Sequence, residues 1–77
     1  MDDITLAYQE RAKGLLRAEL ARRGIGYDKL ADLLAEKGIK DSGKNLSNKI
    51  ARGGFSAGFM VLCLEAIGAK SLRINDD

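Results

Sequence analysis

Four glycines divide this chain into helix-length stretches. Gly24, Gly38, Gly53 and Gly68 each follow a segment whose apolar residues recur at spacings of three and four. That recurrence marks one buried stripe on an α-helix. A glycine just past such a stripe supplies the left-handed conformation that ends the helix. Proline is absent, and runs of Val, Ile and Thr that build strands are missing. The pattern predicts an all-α fold, a compact bundle of four to five helices in one domain spanning residues 1–77, with short acidic ends at 1–3 and 75–77.

The first helix is expected over residues 5–23, with Thr5 as N-cap and a buried stripe of Tyr8, Ala12, Leu15, Leu16 and Leu20. The second is expected over 27–37, burying Leu30, Leu33 and Leu34. The third starts at Gly43 or Lys44 behind Asp41-Ser42 and runs to Arg52, with Leu46 and Ile50 as its core residues. The fourth, over 57–67 behind Ser56, is apolar nearly all round. Phe59, Leu62, Cys63 and Ala66 can fill the interior of one small domain, which leaves Met60, Val61 and Leu64 on another face. An uncovered patch of that kind marks an interaction site. It predicts a homodimer paired through Met60, Val61 and Leu64, unless the first helix or the tail folds back over them. The tail Ser71-Leu72-Arg73-Ile74 alternates polar and apolar, as either an extended segment or a last helical turn would.

Several function classes are set aside by composition. The chain has one cysteine, Cys63, and no histidine. A lone cysteine argues against a disulfide scaffold and fits a reducing, cytoplasmic setting. Without histidine there is neither the usual zinc ligand set nor a base to activate a nucleophile, so no metal, no cofactor, no catalytic residue and no enzyme activity are expected. No stretch approaches the length of an apolar membrane span, no secretory leader opens the sequence, and no small-molecule substrate site is evident. Gly24-Ile25-Gly26 lacks the strand that a dinucleotide loop requires and reads as a turn.

Net charge is only +2, but it is unevenly spread. Four of the acids are Asp2, Asp3, Asp76 and Asp77, so residues 4–75 hold 13 basic and seven acidic side chains. Within 40–52, Lys40, Lys44, Lys49 and Arg52 face a single acid, Asp41. The third helix is the unusual element. Its polar residues, Lys44, Asn45, Ser47, Asn48 and Lys49, include no acid, whereas ordinary surface helices mix Glu with Lys. Asn pairs with the adenine edge and Lys reaches guanine acceptors in a DNA major groove. Lys40 and Arg52 at its ends suit phosphates, and Tyr27 can offer its hydroxyl to a backbone oxygen.

These residues carry a resemblance. The order of elements resembles the Cro and repressor-type helix-turn-helix family, the lambda-repressor-like domain. Its helix-2 opening is matched by Gly24-Ile25-Gly26-Tyr27-Asp28-Lys29-Leu30-Ala31, its third helix by Asn45-Leu46-Ser47 and Arg52-Gly53, and its fourth-helix ending by Glu65-Ala66-Ile67-Gly68. The stretch from Asn45 to Gly68 is also similar to a group of small bacterial and phage-related domains of uncharacterised function. The turn around residues 36–42 is longer than the repressor family's. The resemblance implies a double-stranded DNA partner and a transcriptional regulator. It implies base contacts at Gly43, Lys44, Asn45 and Asn48, and backbone contacts at Tyr27, Lys40, Lys49 and Arg52. The competing expectation is a protein-interaction module of the same fold that does not bind DNA.

Overall fold

Three of the helices begin where a short polar side chain can accept a backbone N–H. In the computed structural model, which describes residues 2–75, four helices result: α1 (Asp3–Arg22), α2 (Tyr27–Glu36), α3 (Gly43–Arg52) and α4 (Ala57–Ala66). Asp76 and Asp77, half of the expected acidic ends, lie outside the described residues. Ser42 Oγ accepts Asn45 N–H at 3.0 Å and Ser56 Oγ accepts Phe59 N–H at 3.0 Å, so both serines cap as expected. The cap of α1 is Asp2, not Thr5. Its carboxylate takes Thr5 N–H at 2.7 Å, which places Thr5 inside the first turn. Hydrogen bonding from Thr5, through its side chain first and then this backbone N–H, holds the Asp2 carboxyl below the usual range.

The four dividing glycines all adopt positive φ, between 67° and 91°. Three helices close alike. Ile25, Ile39 and Ala69 return their N–H groups to Leu20, Leu34 and Leu64 oxygens at 2.9 to 3.0 Å, a bond that satisfies a carbonyl left free at the helix end. The end of α3 differs. Gly53 is itself the cap, is buried, and lies so close to α1 that a Cβ there would sit 3.1 Å from the Gln9 carbonyl oxygen.

The core joins Leu16 and Leu20 of α1, Leu30 and Leu34 of α2, Leu46 and Ile50 of α3, and Cys63 with Ile67 at α4. α2 packs on α3 and α4, and α1 packs across the same two helices. No strand occurs among the described residues, and no described helix is long and apolar enough to cross a membrane. The radius of gyration is 12.3 Å, slightly above the ~11.5 Å that scaling gives for a compact chain of this length. α1 accounts for the excess. Its 20 residues make a rod of ~30 Å, too long for the ten-residue helices beside it to cover. Tyr8, expected in the buried stripe, is therefore 63% exposed.

The faces of α4 also differ from expectation. Met60 and Leu64 are half-buried and pack against the core, leaving only Val61 of the expected pairing trio exposed, at 54%. The segment after α4 runs alongside them. Leu72 and Met60 line one cleft with Leu15 of α1, and Leu72 and Leu64 line another. This segment is neither strand nor helix. Arg11 of α1 clips it down, donating to the Ile74 carbonyl at 2.9 Å and to Asn75 Oδ1.

Candidate nucleic-acid interface

The inner face of α3 fixes what its outer face presents. Leu46 and Ile50 are fully buried, and a helix advances about 100° per residue, so Asn48 falls opposite them at the centre of the solvent side. Lys44, Asn45 and Arg52 are exposed around it, and Ser47 is half-buried at one edge. Lys49 leans the other way, placing its Nζ 4.8 Å from the centre of the Phe59 ring on α4. The ring face attracts the ammonium group and holds it at the α3–α4 border. There Lys49, Arg52, Gly54, Phe55, Ser56 and Phe59 line a cleft of about 300 Å3.

Two of the expected contact residues have other work in the structure. Gly43 is buried, and a Cβ on it would collide with Asp28 Oδ1 and come within 3.1 Å of the Asp28 backbone nitrogen. Its lack of a side chain lets α3 start against α2, which removes it from the base-facing set. Tyr27 is half-buried against the core, and its hydroxyl accepts the Arg17 Nε–H at 3.3 Å. The ring anchors the start of α2 to α1. Lys40 lies exposed in the turn between α2 and α3.

The ion pairs among the described residues all lie along α1: Lys13 with Glu10 at 2.8 Å, Arg22 with Glu19 at 2.6 Å, and Arg23 with Glu19. The Arg23 hydrogen bond above all holds the Glu19 carboxyl below the usual range, with Arg22 adding to it. Lys44, Lys49 and Arg52 pair with no carboxylate among the described residues.

Two acids border the site. Asp28 of α2 brings a carboxylate to the first residue of α3. Asp41, just ahead of α3, turns its Oδ1 onto the Ser42 N–H at 2.9 Å. Acid therefore borders the N-terminal end of α3, while its own cations Lys49 and Arg52 stand in its last turn. Lys13 of α1 adds a further cation there, donating to the Ala51 carbonyl at 3.3 Å. Within this sequence the only sign of Lys13 was its place on a polar face.

No group of three or more metal-ligating side chains occurs among the described residues. Cys63 is buried and free, and burial pushes its thiol up to about 11, against a smaller opposite pull from Lys49. It is a protonated packing residue at neutral pH.

A family model described as a domain of unknown function (DUF6471) matches residues 8–72. The chain belongs to this family. No curated protein and no solved structure matches it. The DUF6471 match takes in the whole of α2, α3 and α4 and the greater part of α1. It agrees with the resemblance to domains of uncharacterised function and gives the repressor resemblance no support. The first turn of α1, with Ile4, falls outside the matched span.

Proposed function

We propose that this DUF6471 domain binds double-stranded DNA by laying α3 in the major groove, as a transcriptional regulator would. One observation carries the reading. The solvent face of α3 sets Asn48 among Lys44, Asn45 and Arg52, with no acid in the helix and no carboxylate paired to its cations among the described residues. Side-chain amides and lysines are the groups that read base edges, and unpaired Lys and Arg are the groups that displace counterions from phosphates. On this reading Lys44, Asn45 and Asn48 face the bases. Lys49, Arg52 and Lys40 face the backbone.

Fluorescence-anisotropy titrations with selected and random duplexes at two salt concentrations test it. Asn48→Ala costs about 1–3 kcal/mol on a selected site and much less on random DNA. Arg52→Ala weakens both alike and flattens the salt slope by about one. Arg22→Ala, which removes a cation already paired to Glu19, leaves the slope unchanged. Equal losses from Arg22→Ala and Arg52→Ala, or no duplex binding at low salt, would sink the proposal and favour a protein-interaction module.

A further inference from the structure

Arg17 of α1 is held by a hydroxyl and not by an acid. Its Nε–H donates to the Tyr27 hydroxyl at 3.3 Å. It pairs with no carboxylate among the described residues, the nearby Asp28 included. A hydroxyl that takes one of the five guanidinium donors fixes the group without neutralising it. Tyr27 is itself fixed, with its ring half-buried against the core, while Arg17 is exposed.

Where this guanidinium stands follows from the contacts around it. α1 and α3 run past each other in opposite directions, with Gln9 beside Gly53 and Lys13 Nζ on the Ala51 carbonyl at 3.3 Å. Arg17 lies four residues beyond Lys13 on the same stripe of α1 and reaches Tyr27 at the start of α2. Tyr27 precedes Asp28, against which Gly43 begins α3. The stripe of Gln9, Lys13 and Arg17 therefore follows one flank of α3 from its end toward its start. The other flank belongs to α4. Lys49 is two residues from Ala51, so about 200° of rotation separates them, and its Nζ lies over the Phe59 ring. Arg52 lines the same cleft as Lys49 and Phe59. Cations without a carboxylate partner thus stand on both sides of Asn48: Lys49 and Arg52 toward α4, and Arg17 toward α1.

A helix about 10–12 Å across fills a major groove about 12 Å wide, so the two sugar-phosphate strands run along its two flanks. We propose that Arg17 contacts a phosphate of the strand on the α1 side, opposite the strand met by Lys49 and Arg52, and that Tyr27 is the positioning residue that holds the guanidinium there. The inference rests on the DNA reading above. It moves to Arg17 the backbone contact that the repressor resemblance implies for Tyr27, whose hydroxyl is already engaged. A guanidinium fork matches phosphate oxygens and keeps its charge at neutral pH.

Anisotropy titrations of a random duplex at two salt concentrations test it, with circular dichroism confirming that each variant folds. Arg17→Ala flattens the salt slope by about one, and Arg17→Ala combined with Arg52→Ala flattens it by about two, because the two residues meet different phosphates. Arg17→Lys, which retains the charge, restores the slope. Tyr27→Phe weakens binding by about two- to tenfold, the worth of one hydrogen bond, and this loss disappears when Arg17 is already alanine. A hydroxyl that bonded phosphate itself would cost the same in both backgrounds, and that result overturns the proposal in favour of Tyr27. A wild type that binds the duplex while Arg17→Ala keeps the full slope overturns the proposal and leaves the reading of α3 standing. A wild type that binds no duplex at low salt overturns both.

Discussion

α1 and α3 are both polar on the outside, and they use that polarity in opposite ways. α1 is 20 residues long but buries only Leu16, Glu19 and Leu20. Its cations are taken up by Glu10 and Glu19, by the Tyr27 hydroxyl and by backbone carbonyls of Ile74 and Ala51. α3 has half the length and buries Gly43, Leu46 and Ile50 along one side, yet leaves Lys44 and Arg52 without an acidic partner. A helix clamped to the core on one face and left unneutralised on the other is rigid where it is held and available where it is charged. Preorganisation of that kind is what a recognition element needs. α1 is a brace for the bundle, and its overhanging first turns are the part that the bundle does not need.

The contrast breaks or sharpens most clearly in stability. Leu46→Ala or Ile50→Ala is expected to cost about 2–5 kcal/mol, because each leaves a cavity in a filled core. Leu6→Ala in the exposed part of α1 is expected to stay within about 0.5 kcal/mol of wild type. Urea denaturation reads both, and similar losses from the two helices would dissolve the distinction.

Glycine substitutions give a smaller effect with opposite signs. Gly14 of α1 has open space where a Cβ would go, so Gly14→Ala is expected to stabilise by about 0.5–1 kcal/mol through helix propensity alone. Gly43→Ala gains the same propensity but forces a methyl group into Asp28, whose backbone cannot give way, and is expected to destabilise by about 1–3 kcal/mol. A stabilising Gly43→Ala would mean that α2 and α3 are not locked together at this point.

The smallest effect is in pH dependence. Glu19 has its carboxyl held below the ordinary glutamate value of 4.5, chiefly by Arg23. A carboxyl lowered by folding contributes stability that is present above its unfolded value and lost as pH falls through that value toward the folded one. The urea midpoint of the wild type is therefore expected to drop more steeply on acidification below about 4.5 than that of Glu19→Gln. Asn45→Ala in α3 keeps the wild-type acid limb. An acid limb unchanged by Glu19→Gln would remove the neutralising role given to α1.

Much of this architecture was legible from local chemistry. The starts of α3 and α4 fall at the residues expected, because Ser42 and Ser56 act on N–H groups three residues away. The spacing of Leu16, Leu20, Leu30, Leu34, Leu46 and Ile50 was enough to pick the core. The candidate site was legible in outline. Lys44, Asn45 and Asn48 are exposed on α3 as read from their order, since burying Leu46 and Ile50 turns Asn48 outward. Gly43 and Tyr27 were not legible as packing residues, because what confines them is Asp28 and Arg17 on neighbouring helices. Tyr8 shared the periodicity of the buried leucines, but periodicity identifies a face of a helix without showing how far along it the neighbours reach.

The sequence by itself determined the helices, the serine caps of α3 and α4 and the acid-free face of α3, because each depends on residues within a turn or two of one another. The tertiary structure decided which charges are cancelled and which apolar groups are covered. Arg11 meets Ile74 and Lys13 meets Ala51 only after the chain has folded back on itself. Coulomb attraction and desolvation act on distance in space, and distance along the chain does not report it.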